Sequence, residues 1–225
     1  MIRLTGVSKI FETGNQDITA VSEVSVSIPR GALTLLTGNN GSGKTTLMLL
    51  MAGILSPDAG RVYLDGMDIS RLPERIRSRI RRNRTGIIFQ ERFFIRTAPV
   101  WQNLVLSLIP TERPMADIRN KGKALLRRFG LEEKENVRCG RLSGGEKQRL
   151  AIARALINDP DVIFADEPTT HLDHDVLQML TREIQNWKTR GKTVVIATHQ
   201  PELLNAAGPD IRLTLEKGRL AREER

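Results

Sequence analysis

The run Gly38-Asn39-Asn40-Gly41-Ser42-Gly43-Lys44-Thr45 has the make-up of a loop that holds phosphate. Its glycines let the backbone fold tightly enough for successive N–H groups to face anionic oxygens. Lys44 is expected to reach the β- and γ-phosphates of a nucleoside triphosphate, and the Thr45 hydroxyl to ligate Mg²⁺. Thr46, next along, completes the set expected at the nucleotide. The run follows the apolar stretch Leu33-Thr34-Leu35-Leu36 and precedes Leu47 to Leu50. It therefore joins a strand to a helix whose positive N-terminal end would face the anion. A turn with an incidental lysine would need no such setting.

A second chemical feature is Val162-Ile163-Phe164-Ala165-Asp166-Glu167. An apolar strand delivers two carboxylates to its C-terminal end, the end at which open α/β sheets bind ligands. Adjacent acids there are costly unless a cation or substrate compensates them. The natural division gives Asp166 to the Mg²⁺ shell and leaves Glu167 to polarise an attacking water.

These residues need a frame. Residues 1–10 and 21–28 alternate as strands do, with Asn15-Gln16-Asp17 as a turn between them. Leu33–Thr37 reads as a buried strand and Thr45–Met51 as the start of a helix. Gly60 to Gly66 reads as a strand ending in a turn, Arg75–Arg82 as a helix, and Gly86-Ile87-Ile88-Phe89 as a strand. Residues 91–140 differ in character, with helical runs such as Gly122–Phe129 separated by Pro99, Pro110 and Pro114. Val162–Ala165 and Thr193–Ala197 are continuous apolar strands of the kind buried on both faces. Strands alternating with helices predict a mainly parallel sheet covered on both sides.

Composition sets limits. The chain has 225 residues, is 40% hydrophobic and 27% charged, and carries a formal charge of +9. No run of eighteen uncharged apolar residues occurs, and the start of the chain lacks the layout of a secretory signal. The lone Cys139 excludes an internal disulfide framework. A cytoplasmic setting is expected. Arg71 to Arg84 holds seven arginines against one acid, Glu74. Such a run suits a solvated helix face, anionic lipid or nucleic acid, and it lacks the aromatics that single-strand binding uses.

Leu142-Ser143-Gly144-Gly145-Glu146-Lys147-Gln148-Arg149 resembles the signature motif of ATP-binding cassette (ABC) ATPases, and Asp166-Glu167 follows at the usual distance. Gln90, after Ile87-Ile88-Phe89, is similar to the family's Q-loop glutamine. Thr170-His171-Leu172-Asp173 falls at the D-loop, and His199, after Val195-Ile196-Ala197-Thr198, at the switch histidine. Phe11 falls where the family has an aromatic that stacks on adenine, although a lone aromatic between strands also serves as core packing. Ala165 to Thr169 and Trp101-Gln102-Asn103-Leu104 resemble the branch that includes the ATPases of lipoprotein release, macrolide export and the cell-division complex. Two stretches depart from the branch: Thr170-His171-Leu172-Asp173, where Gly-Asn-Leu-Asp is usual, and Glu91-Arg92-Phe93-Phe94-Ile95-Arg96.

The resemblance implies a P-loop NTPase core with a mainly parallel sheet, an antiparallel β-subdomain and an inserted helical subdomain. All of 1–225 would be one ABC nucleotide-binding domain, its core at 1–90 and 141–225 and its helical part at 91–140. It implies ATP and Mg²⁺ as cofactors and a second copy of the chain packed head to tail. Ser143, Gly144 and Gly145 of one copy, with Asp173, would meet the nucleotide held by Lys44 of the other. Gln90 would sense Mg²⁺ and the water, and His199 would hold the γ-phosphate and orient Glu167. The remaining partner would be an integral membrane permease at the inner face of the cell membrane, with Phe93, Phe94 and Trp101 either receiving its helix or forming core. Alternatives are force transmission without transport, or a soluble ABC ATPase acting on nucleic acid or ribosomes. His171 and His174, spaced i, i+3, lack further ligands nearby for a metal site.

Overall fold

Two sheets share the chain. The computed structural model describes residues 1–225 apart from residues 15, 112, 170–173, 202–204 and 206. In chain order come β1 (Ile2–Thr13), β2 (Gln16–Ile28), β3 (Leu33–Thr37), α1 (Lys44–Met51), β4 (Ala59–Leu64), β5 (Met67–Asp68), α2 (Glu74–Arg84) and β6 (Thr85–Ile88). The helical stretch that follows holds α3 (Val100–Val105) and α4 (Met115–Arg128). Then come α5 (Gly144–Leu156), β7 (Val162–Asp166), α6 (His174–Thr189), β8 (Thr193–Ala197), β9 (Ile211–Glu216) and β10 (Arg219–Glu224).

A six-stranded sheet runs β10-β9-β3-β8-β7-β6, parallel except for β10. Beside it lies an antiparallel sheet ordered β2-β1-β4-β5. Period-two alternation in the central strands sorts their side chains between two cores. Leu33, Leu35, Ile163, Ala165, Val194 and Ile196 pack toward α5, α6 and the helical stretch. Leu36, Val162, Phe164, Val195 and Ala197 pack toward α1 and the inner face of the antiparallel sheet. Because both faces are covered, these strands are apolar throughout, each large side chain contributing about 1.5–3 kcal/mol on burial. α6 meets its core with Val176, Leu180, Ile184 and Trp187, one stripe at helical spacing.

The expected elements are present with shifted ends. The α2 helix begins after Pro73 and ends where Thr85 turns extended, so it exceeds the expected Arg75–Arg82. In α4, which begins just after Pro114, the expected run from Gly122 is only the second half. Strands β1 and β2 reach closer to each other than 1–10 and 21–28: Gln16 and Asp17, expected in the turn, belong to β2 and pair with β1, and Asn15 lies outside the described residues. Register shifts between Leu4 and Ile10 break the alternation from which their length could be read. Pairing of β9 with β10 lies beyond the expected elements, although Ile211, Leu213 and Leu215 alternate inward plainly.

Phe94 and Trp101 pack against the core, and Trp101 lies so near Gly122 that a Cβ there would come 2.4 Å from the indole. Phe93 stays 67% exposed, its ring edge-to-face with Phe89. In the arginine run, Arg77 and Arg81 pair with Glu74, and Arg84 bridges Asp65 and Asp161. Arg71, Arg75 and Arg79 are the exposed members. Among the described residues, no helix is long and apolar enough to cross a membrane.

Candidate active site

The loop from β3 to α1 has the conformation its glycines allow. Gly43, capping α1, has φ 100°, and a Cβ there would meet the Ala20 carbonyl oxygen at 2.2 Å. Gly38 is hemmed in similarly by the Leu215 carbonyl at 2.3 Å. Strands distant in sequence thus close on the loop from two sides. Gly43→Ala should lose nucleotide binding and more than about 2 kcal/mol of stability, or several degrees in Tm. Thermal unfolding with and without nucleotide checks both.

Lys44 is buried, and its Nζ donates to the carbonyls of Gly38 (2.8 Å) and Asn39 (3.0 Å). The same Nζ lies 3.9 Å from Glu167 Oε1. Thr45 Oγ1 donates to the Asp166 carboxylate, at 2.8 and 3.0 Å from its two oxygens. Glu167 Oε2 accepts from His199 Nδ1 at 2.9 Å. The Glu167 backbone is left-handed (φ 44°), held by its N–H donating to Ala197 at 2.8 Å. A cleft of about 560 Å³ brings together Asn40 to Thr46, Gln90, Glu167 and His199.

Burial, chiefly, raises the Asp166 pKa, and the neighbouring Glu167 carboxylate adds to the rise, while the Thr45 hydrogen bond and Lys44 oppose it. A buried carboxylate whose charge is unfavourable, touching a hydroxyl, is a hard-oxygen set that fits Mg²⁺. Without a cation, the folded state holds this proton more tightly than the unfolded chain, so stability falls as pH rises from the ordinary Asp value through the raised one. Mg²⁺–nucleotide affinity should accordingly weaken as pH falls through that raised value, sooner than an exposed Asp would allow. Calorimetric titration down from neutral pH checks this, with Asp166→Asn expected to bind weakly throughout and to keep only the pH dependence of the nucleotide's own phosphate. Unchanged affinity across the range would take Asp166 out of the metal shell.

Other expected residues lie elsewhere. Ser143 N-caps α5 in a capping box: its Oγ accepts the Glu146 N–H (3.2 Å), and Glu146 Oε2 accepts the Ser143 N–H (2.8 Å). That backbone N–H, chiefly, lowers the Glu146 pKa, with Lys134 assisting. Neither Ser143, Gly144 nor Gly145 lines the cleft that holds Lys44. Asp173, with residues 170–172, lies outside the described residues. Phe11 is half-exposed, pairs across β1 and β2 with Ile18, and stands beside the cleft rather than lining it. The wall there is Ile18, Thr19 and Ala20. Nothing in those residue types announces the role; only the β1–β2 register brings them to the loop.

The family model described as ABC transporter matches residues 21–170. The chain belongs to the ABC transporter ATPases. This cassette is 36% identical over 227 residues to the lipoprotein-releasing system ATP-binding protein LolD 1 of Caulobacter vibrioides, covering 98% of this chain and 94% of that protein. It is 38% identical over 220 residues to the cell division ATP-binding protein FtsE of Escherichia coli, covering 98% and 97%. Among solved structures, a dimeric post-hydrolysis state of the ATP-binding cassette MJ0796, bound to ADP and Pi, superposes with a TM-score of 0.93 at 31% identity, covering 100% and 98%. The cassette is thus an ABC nucleotide-binding domain, of a family that binds and hydrolyses ATP.

Proposed function

We propose that this cassette is the ATP-hydrolysing subunit of a membrane complex, working as a head-to-tail homodimer around two ATP. One observation carries the reading. Lys44, Thr45, Asp166, Glu167, Gln90 and His199 are gathered at one site, whereas the α5 N-terminus, with Ser143 and Gly144 exposed and Gly145 half-buried, stands apart from it. A helix N-terminus with bare glycines suits a γ-phosphate, and only a second copy can bring one to it. Asp173 would complete that interface.

Within each site, Lys44 neutralises phosphate charge, Glu167 polarises the water, and His199 Nδ1 holds the Glu167 carboxylate in place. Mg²⁺, bound by Thr45 and Asp166 with Gln90 near it, would supply charge neutralisation at the phosphates. Asn39 to Ser42 would wrap the phosphates with N–H groups, and Phe11 would flank the adenine. The stretch 91–140 serves as the helical subdomain within a domain spanning 1–225. Its exposed Phe93 and Ile95, next to Gln90, suit a helix from an integral membrane partner. An inner-face location follows from that partnership, and the likeness to a lipoprotein-releasing ATPase supports release or export. The likeness to a cell-division protein supports a second reading, force transmitted across the membrane without transport.

The test is purification of the Glu167→Gln protein with ATP from mild-detergent extracts of its own cells, with mass spectrometry of what accompanies it. A multi-span membrane protein is the expected companion. Ribosomal or repair proteins alone would overturn the reading.

A further inference from the structure

Gln148 is a primary amide on α5, only 3% exposed. Burying an amide is costly unless both its ends are bonded, and here both are. Its Oε1 accepts from Arg92 Nε at 3.0 Å, and its Nε2 donates to the Pro168 carbonyl at 3.1 Å. Chemistry fixes that orientation. A guanidinium only donates and a carbonyl only accepts, so a flipped amide would lose both bonds. Arg92 lies two residues past Gln90, and Pro168 directly follows Glu167. One buried side chain therefore ties together the turns that directly follow two residues of the cleft wall, Gln90 and Glu167.

Both turns are strained. Phe93 (φ 41°) and Glu167 (φ 44°) are left-handed without being glycine. Such conformations persist only where surrounding contacts over-determine them. At the first turn, Arg154 of α5 donates to the carbonyls of Arg92 (2.7 Å) and Phe93 (3.1 Å) and stacks over the Phe94 ring at 4.5 Å. At the second, the Glu167 N–H is held by Ala197 and its carboxylate by His199. The outer end of the first turn is open, with Phe93 67% and Ile95 51% exposed.

We propose that Arg92 and Gln148 are positioning residues, a two-bond relay through which the conformation of the 91–96 turn sets the placement of Glu167. Displacing Phe93 or Ile95 moves the Arg92 guanidinium. Gln148 is held by a rigid helix, so it answers by releasing or tightening its bond to Pro168. The relay rests on the reading of Glu167 as the residue that polarises water.

The test uses the full chain. Arg92→Met keeps the stem and removes the donor at a half-buried, tolerant position, and Gln148→Met removes the bridge. Each should lower kcat about tenfold with KM for ATP held within about twofold, a loss of coupling-energy size. The double variant should be no worse than the poorer single, and Arg92→Lys should recover most of the rate. Hydrogen exchange in peptides spanning 165–169 should quicken in both singles. Multiplying losses, or unchanged exchange at 165–169 in Arg92→Met, would overturn the relay. If Glu167→Gln turns over normally while that exchange still quickens, the relay stands and the role given to Glu167 falls.

Discussion

ATP turnover in Glu167→Gln should fall by about 10²–10⁴, the usual worth of a general base, while nucleotide binding persists. The amide keeps the size of the carboxylate and can still accept from His199 Nδ1, so the cleft geometry that depends on that bond is retained. What it loses is the negative charge 3.9 Å from Lys44 and the ability to draw a proton from water. An ATP-bound dimer that forms but cannot hydrolyse should accumulate, read as a doubled mass in light scattering with ATP and monomer with ADP. Turnover near that of the unsubstituted cassette would leave Glu167 without a catalytic role.

Ser143→Arg separates two contributions that differ greatly in size. Locally, Ser143 is the N-cap of α5, and losing the capping box costs about 1 kcal/mol, or about 2–4 °C in Tm for a chain of this length. In the proposed dimer a long cation at this exposed face would press on the partner's nucleotide, which is far more damaging, and hydrolysis should become undetectable. Because Ser143 does not line its own chain's cleft, monomer affinity for ATP should be unchanged. A variant that hydrolyses at its former rate, or that no longer binds nucleotide as a monomer, would contradict the head-to-tail dimer. Ser143→Ala, which loses the cap without the bulk, supplies the stability baseline.

The chemistry was legible wherever one short segment carries a whole function. Gly38 to Thr45 and Asp166-Glu167 each combine a strand end with reactive groups, so type and spacing assigned Thr45 and Asp166 to one Mg²⁺ shell, and the structure puts the two side chains in contact. His199 was placed by the family resemblance, since a polar residue ending an apolar strand is by itself ordinary, and its bond to Glu167 came only with the structure. Less was readable where the role depends on pairing. Ile18, Thr19 and Ala20 become a wall of the cleft only through a β1–β2 register interrupted by bulges, and no periodicity reveals it. Gln148 and Arg92 carry ordinary side chains, and only burial and two directional bonds single them out. Phe93 and Phe94 are neighbours of one type with opposite fates, one exposed and one packed, decided by a left-handed turn between them.

The order of strands in the main sheet also bears on synthesis at the ribosome. Strand β3 carries the glycine-rich loop, yet its two neighbours are β8, starting at Thr193, and β9, starting at Ile211. At ordinary elongation rates those partners emerge about 10–30 seconds after β3 itself. Through that interval the nascent chain exposes an apolar strand with both edges unpaired, a template for wrong associations. Nucleotide capture is therefore a late event in the life of each molecule, and a chain cut short before its last two parallel strands should be handled by the cell as misfolded protein rather than as a slow enzyme.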